Sequence, residues 1–270
     1  AFSKSNKLPI FAHLTLFFCT ALKYYPVAFS IIFILRNDDL KTKLRNLTIH
    51  IVFFFVWIFC SWENLQVQKH IIPDPGYAWS FGISPMFTLF THLTGSKVIS
   101  FVFLTFLSFL VIYSVFIFFN KIDFFCSDNT SDSCFAKVLF VGGTMVLVFC
   151  YLVRTSFDHR MIYFAFCFPF FTALLSKRSY NMSKHYWIPM LLFLLITISA
   201  WFECLREWIT IGLRYFSLES ILPHGLFVVR TIEISINHFS FMTLLSMSLV
   251  IIYNNLYPSF IRYLTCLKKS

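Results

Sequence analysis

Long stretches without a formal charge alternate along this chain with short stretches in which the charges collect. Val98–Phe119, Trp187–Ala200 and Phe239–Tyr253 contain no Asp, Glu, Lys or Arg. Lipid offers no water to a backbone N–H or C=O, so a crossing segment satisfies those groups internally, and runs of this kind read as spanning helices. The pattern predicts an all-α fold: a polytopic transmembrane helix bundle with short interfacial helices. At about 20 residues per span the chain holds roughly six to eight helices and no sizeable soluble domain. It is read as one transmembrane domain, 1–270.

The first apolar stretch, Leu8–Leu35, is interrupted by Lys23-Tyr24-Tyr25-Pro26. Proline removes a donor and clashes with the preceding turn, so the stretch is either one tilted, kinked span or two arms meeting at that break, and the basic outer ends favour the two arms. Arg36–Arg45 is a basic loop and is placed on the cytoplasmic side. Counting outward, Leu47–Trp62 leaves, Val98–Phe119 returns, Val138–Val153 leaves, Met161–Leu175 returns, Trp187–Ala200 leaves and Ser235–Tyr253 returns. Two segments outside the cytoplasm read as interfacial helices. Phe81–Leu93 places Met86, Phe90 and Leu93 on one face; Leu205–Phe216 places Trp208, Ile209 and Leu213 opposite Arg206, Glu207 and Arg214.

Composition agrees. Hydrophobic residues make up 58% of the chain and the net charge is +10, carried in the connections. Positive-inside topology explains that charge, so nucleic acid is not expected as a partner. Of the cysteines, Cys19, Cys60, Cys150, Cys167 and Cys204 lie in apolar runs and read as packing residues. Cys126 and Cys134 share a polar loop and would pair only in an oxidising compartment. No Cys/His spacing suits a metal.

Ionisable groups beside membrane spans are costly and often functional. The non-cytoplasmic side gathers, among others, Glu203, Arg206, Glu207, Arg214, Arg230 and Glu233. The densest polar knot is Phe157-Asp158-His159-Arg160-Met161-Ile162. Asp158 fits the N-terminus of a helix opening near Arg160, either as a cap or as a local partner of the arginine. A cation there opposes the helix dipole, so Arg160 is a candidate for holding a phosphate through its planar fork. Lys23 has two readings: it reaches back to water, or it lines a polar cavity at the helix break and meets an anion there.

Ala21-Leu22-Lys23-Tyr24-Tyr25-Pro26, followed by an apolar arm and Arg36, resembles a segment of the GT-C superfamily of membrane glycosyltransferases. The likeness is to its polyprenyl-phosphate-mannose-dependent mannosyltransferase group. The stretch Phe140–Gly143, the Asp158-His159-Arg160 motif, Pro169 and Glu233–Asn237 resemble later parts of the same group. The resemblance implies sugar transfer from a polyprenyl-phosphate donor to a lipid or glycan acceptor on the non-cytoplasmic side, in the plasma membrane or endoplasmic reticulum. It implies that Lys23 and Tyr25 belong to the substrate cavity, and that Asp158, His159 and Arg160 form its outer, lipid-phosphate-binding rim. The superfamily's acidic catalytic residue lies upstream of the Lys-Tyr-Pro segment, so the chain is read as a C-terminal portion without its catalytic base. Some superfamily members use a divalent metal and others do not, which leaves that cofactor open. Transport or lipid handling is the competing class, although a second interrupted helix matching Lys23–Pro26 is lacking. A non-catalytic membrane subunit is the third.

The topology has a direct test in the sequons at Asn46, Asn129 and Asn181, all assigned to the cytoplasmic side. None is expected to acquire glycan when the chain is inserted into microsomes. A glycan on Asn129 would place that loop, and every later segment, on the opposite side.

Overall fold

The computed structural model describes residues 7–22, 25–35, 38–63, 66, 83–121, 131–153, 164–176, 187–215 and 222–267. All regular structure among them is helical. The elements are α1 (Lys7–Leu22), a 3₁₀ helix (Tyr25–Leu35), α2 (Leu40–Cys60), α3 (Ile83–Thr94) and α4 (Lys97–Lys121), then α5 (Ser131–Val153), α6 (Phe168–Ser176), α7 (Trp187–Tyr215) and α8 (Leu222–Leu267). Four apolar segments, 40–60, 97–120, 135–152 and 227–261, are helices long and apolar enough to cross a membrane, which marks a membrane protein.

Helix starts follow local chemistry. Pro85, Pro169, Pro189 and Pro223 fall in first turns, where the missing N–H has no partner to lose. Asp39 caps α2: the Thr42 N–H donates to its Oδ2 at 3.1 Å. Hydrogen bonds from the Thr42 side chain and backbone hold the Asp39 carboxyl below its ordinary range.

The Lys23–Pro26 interruption separates two arms, α1 and the 3₁₀ helix, which pack against each other and against α2. Within the second arm Val27, Ser30 and Phe33 are buried. That three-residue repeat is the period of a 3₁₀ helix, whose side chains eclipse at i and i+3. This arm packs closely on α5, where the Phe29 ring lies against Gly142 so tightly that a Cβ there would collide with it.

The core lies between α5 and α8. Two thirds of their apolar windows (67%) are buried, against 17% for α2 and 11% for α4, so the first pair is central and the second peripheral. Phe140, Leu147, Tyr151, Phe171, Phe241 and Leu244 fill the centre. The outward faces of α2 and α4 carry Phe55, Phe59, Val102 and Phe106, all exposed and all apolar. Such a surface suits lipid, not water.

Several expected boundaries differ. The basic segment Arg36–Arg45 is not all loop: Lys41, Lys43 and Arg45 lie in the first turns of α2. Lys43 is buried, with its Nζ donating to the Ser259 Oγ at 3.3 Å and the Asn255 carbonyl at 3.4 Å. These contacts tie α2 to α8 beside Pro258, whose ring removes the N–H that would bond the carbonyl of Asn254. The span from Trp187 and the interfacial helix expected from Leu205 are one continuous helix, α7. The span expected from Ser235 is the middle of α8, whose 46 residues give a rod of about 69 Å. On α3, Met86 and Leu89 are buried, while Leu93, expected on the apolar face, is exposed. Cys150 and Cys167 are packing residues as expected, whereas Cys19 and Cys60 lie on the outer surface. Cys126 lies outside the described residues.

Gly142→Val should destabilise the protein by about 1–3 kcal/mol, the usual cost of forcing extra atoms into a filled contact. Combining it with Phe29→Ala should recover part of that loss. Thermal unfolding of the purified protein in detergent reads both effects.

Candidate functional site

The five residues singled out from sequence fall where nothing is described of their side chains. Lys23, Asp158, His159 and Arg160 lie outside the described residues, and Tyr25 opens the 3₁₀ helix with its side chain outside them. Two polar clusters among the described residues, both involving α8, are the alternatives.

The first is charged. Arg206 of α7 reaches Glu233 of α8, its Nη1 donating to Oε2 at 3.2 Å. Arg230, one turn before Glu233 on α8, pairs with the other carboxylate oxygen, Oε1. All three residues are buried, between 4% and 6% exposed. Glu233 therefore sets one negative charge between two guanidinium groups in surroundings where charge is poorly solvated. Both of its oxygens are occupied by arginine, which leaves it poorly placed to take a proton from a substrate hydroxyl.

The amphipathic pattern set Arg206, Glu207 and Arg214 opposite Trp208, Ile209 and Leu213. Arg206 and Trp208 do take opposite sides of the helix: Arg206 is 6% exposed against α8, and Trp208 is 76% exposed. The physical reason is the solvent: where the surroundings are lipid, the aromatic residue faces out and the charged residue turns inward to its partner.

The second cluster is neutral and lies one to two turns further along α8. His238 is five residues beyond Glu233, about 8 Å along the axis. Its Nδ1 meets the Tyr151 hydroxyl of α5 at 2.9 Å, and its Nε2 meets the Ser108 Oγ of α4 at 3.1 Å. The Ser108 hydroxyl also lies 2.7 Å from the Leu104 carbonyl and donates to it. A carbonyl only accepts, so the serine proton goes there and Nε2–H is the donor to Ser108. The neutral imidazole then accepts at Nδ1 from the tyrosine O–H. One directed chain of protons, Tyr151 to His238 to Ser108 to Leu104, joins three helices.

Ser108 opens onto a groove of about 660 Å³ between α3 and α4, closed at one side by Leu152 of α5. Phe87, Phe101, Leu104 and Phe109 form much of its wall; Ser84, Thr105 and Ser108 supply hydroxyls, and none of the described residues that line it is charged. The groove adjoins a packed cluster of Met86, Leu89, Leu104 and Ile234, and Ile234 is the residue next to Glu233.

Sequence reasoning gathered Arg206, Arg230 and Glu233 on one side but not into contact. It passed over Ser108, Tyr151 and His238. The available signal was an imidazole in an otherwise uncharged apolar run. The same signal marks His13 and His50, whose ring nitrogens lie 2.6 Å apart and whose rings stack with Phe33. Among the described residues, no cluster of three or more His, Cys, Asp or Glu side chains forms a metal-binding group. Compared with known protein families, curated proteins and solved structures, the chain matches none.

Two substitutions should separate the clusters by size of effect. Glu233→Ala removes the carboxylate that two buried arginines share and should cost about 3–5 kcal/mol. Tyr151→Phe removes one interhelical hydrogen bond, for which roughly 0.5–2 kcal/mol is expected in a membrane bundle. Unfolding of each variant in detergent, titrated with a denaturing surfactant, measures the contrast.

Proposed function

We propose that this chain is a multi-pass integral membrane protein that handles a lipid-linked phosphate, as part of a GT-C type glycosyltransferase using a polyprenyl-phosphate sugar donor. The observation that supports this reading best is the pairing of Arg206 and Arg230 on one carboxylate at the end of α8 assigned to the non-cytoplasmic side. Guanidinium groups suit phosphate because their planar forks match its oxygens and stay charged in poorly solvated surroundings. The apolar flanks of α7 and α8 would keep a polyprenyl chain in lipid while its phosphate meets the arginines.

Residues from the sequence resemblance extend the same chemistry. Lys23 and Arg160 would hold the donor phosphate, Tyr25 would line the cavity, Asp158 would belong to its outer rim, and His159 would position donor or acceptor. Positive charge on a departing lipid phosphate lowers the barrier because charge grows on that oxygen as the sugar leaves. The proton of the acceptor hydroxyl would go to a carboxylate base, and the resemblance assigns that base to a segment upstream of Lys23.

Binding tests the reading without that base. Polyprenyl phosphate should bind the purified chain at least about tenfold more tightly than the unphosphorylated prenol, the worth of one charge-assisted contact. Arg230→Lys keeps the charge but loses the fork, and should weaken binding less than Arg230→Ala does. Unfolding midpoints of the variants separate lost binding from lost folding. Equal affinity for phosphate and prenol would overturn the proposal. In a full-length active enzyme, Arg160→Ala should slow transfer from the lipid-phosphate donor by about 30- to 1,000-fold.

A further inference from the structure

We infer that the groove between α3 and α4 binds a lipid alcohol, an apolar molecule whose single hydroxyl donates a hydrogen bond to Ser108. The inference stands apart from the phosphate reading, since it uses other residues and an uncharged ligand.

The direction of the hydrogen bonds behind Ser108 carries the inference. The Ser108 proton is committed to the Leu104 carbonyl at 2.7 Å, and His238 Nε2–H donates to its oxygen at 3.1 Å. A hydroxyl oxygen has two lone pairs, so one acceptor position remains on Ser108. Ser108 is half-buried and lines the groove, while His238 and Tyr151 behind it are buried at 2% and 0% exposure. The imidazole and phenol thus hold the serine as an acceptor toward the groove. Ketones, esters and ethers offer no donor and gain nothing from this position. A hydroxyl does.

The remainder of the groove restricts the ligand further. Among the described residues its wall is mainly apolar and holds no charge, which disfavours phosphate, carboxylate and ammonium headgroups. Its volume of about 660 Å³ lies within the range of small-molecule sites. The outward face of α4 beside it, with Val102 and Phe106 exposed, gives the ligand a route in from lipid. A lipid alcohol arriving there exchanges an unpaired hydroxyl in hydrocarbon for a bonded one.

The same geometry argues against Ser108 as a nucleophile. That role needs Nε2 to accept the serine proton, whereas here Nε2 carries a proton and donates it.

The test uses the purified chain in lipid nanodiscs and two photoreactive probes. One is a long-chain primary alcohol with a diazirine in its tail; the other is its O-methyl ether, equal in chain but unable to donate. The alcohol should label the groove peptides containing Ile83–Phe87 and Phe101–Ile112 on the order of fivefold more than the ether, the value of one net hydrogen bond. An unlabelled alcohol should compete, and Ser108→Ala should bring the two probes to equal labelling. Because the two-probe comparison is made on the unaltered protein, it decides the matter even if that variant misfolds. Equal labelling by alcohol and ether would show a groove bathed only in bulk lipid and overturn the inference. Covalent capture of Ser108 by a fluorophosphonate would show a nucleophile, reverse the proton chain and overturn it equally.

Discussion

Apolar helices in lipid have little reason to prefer one neighbour over another, because hydrocarbon solvates their faces as well as a second helix does. The hydrogen bond from Tyr151 to His238, continued from His238 to Ser108, supplies such a reason for α4, α5 and α8. A second tie, from the Ser246 hydroxyl to the Ile112 carbonyl at 2.7 Å, fixes α8 on α4 two turns further along. Around these bonds the close contacts follow: Phe241 stacks on Tyr151, and the centre of the bundle fills with Leu147 and Leu244. The peripheral arms use the same device, with His13 and His50 joining α1 to α2.

Charge is handled differently from a water-soluble bundle. Arg206, Arg230 and Glu233 turn inward and neutralise one another in part, while tryptophan and phenylalanine occupy the outside. The arrangement is costly to desolvate and destructive to break, so it holds α7 to α8 specifically without being a large net source of stability. Lys43 plays a corresponding part at the other end, where its Nζ meets an α8 carbonyl and a serine hydroxyl beside a proline-interrupted turn.

The helical class and the apolar segments were legible in sequence because exclusion of charge from lipid leaves a strong one-dimensional trace. The break at Lys23–Pro26 was legible too, since proline acts locally. The junctions of α7 and α8 were not. A hydropathy run ends at its first charged residue, but a helix ends only where its backbone bonds do, and α7 continues past Glu203 and past Arg206, which turns onto its buried partner Glu233. The site shows the same division. Formal charges drew attention to Arg206, Arg230 and Glu233, and the Arg230–Glu233 spacing of three is local, yet the contact of Arg206 with Glu233 depends on two helices whose pairing no local pattern encodes. Ser108, Tyr151 and His238 carry no charge at all, and each alone reads as an ordinary residue of an apolar run.

The unbroken course of α8 has a mechanical consequence. Glu233 and Asn255 are 22 residues apart on one helix, a separation of about 33 Å, and each is gripped by a cation from a different neighbour. A continuous helix bends little over that distance. Tilting α8 to loosen its hold on α7 at one end therefore swings the other end against α2. The fulcrum is the hydrogen-bonded ring of His238. Events at the two ends of this bundle are thus not independent: the helix couples them as a lever does, with Pro258 placed just beyond the Lys43 grip, where a joint would leave the lever arm itself stiff.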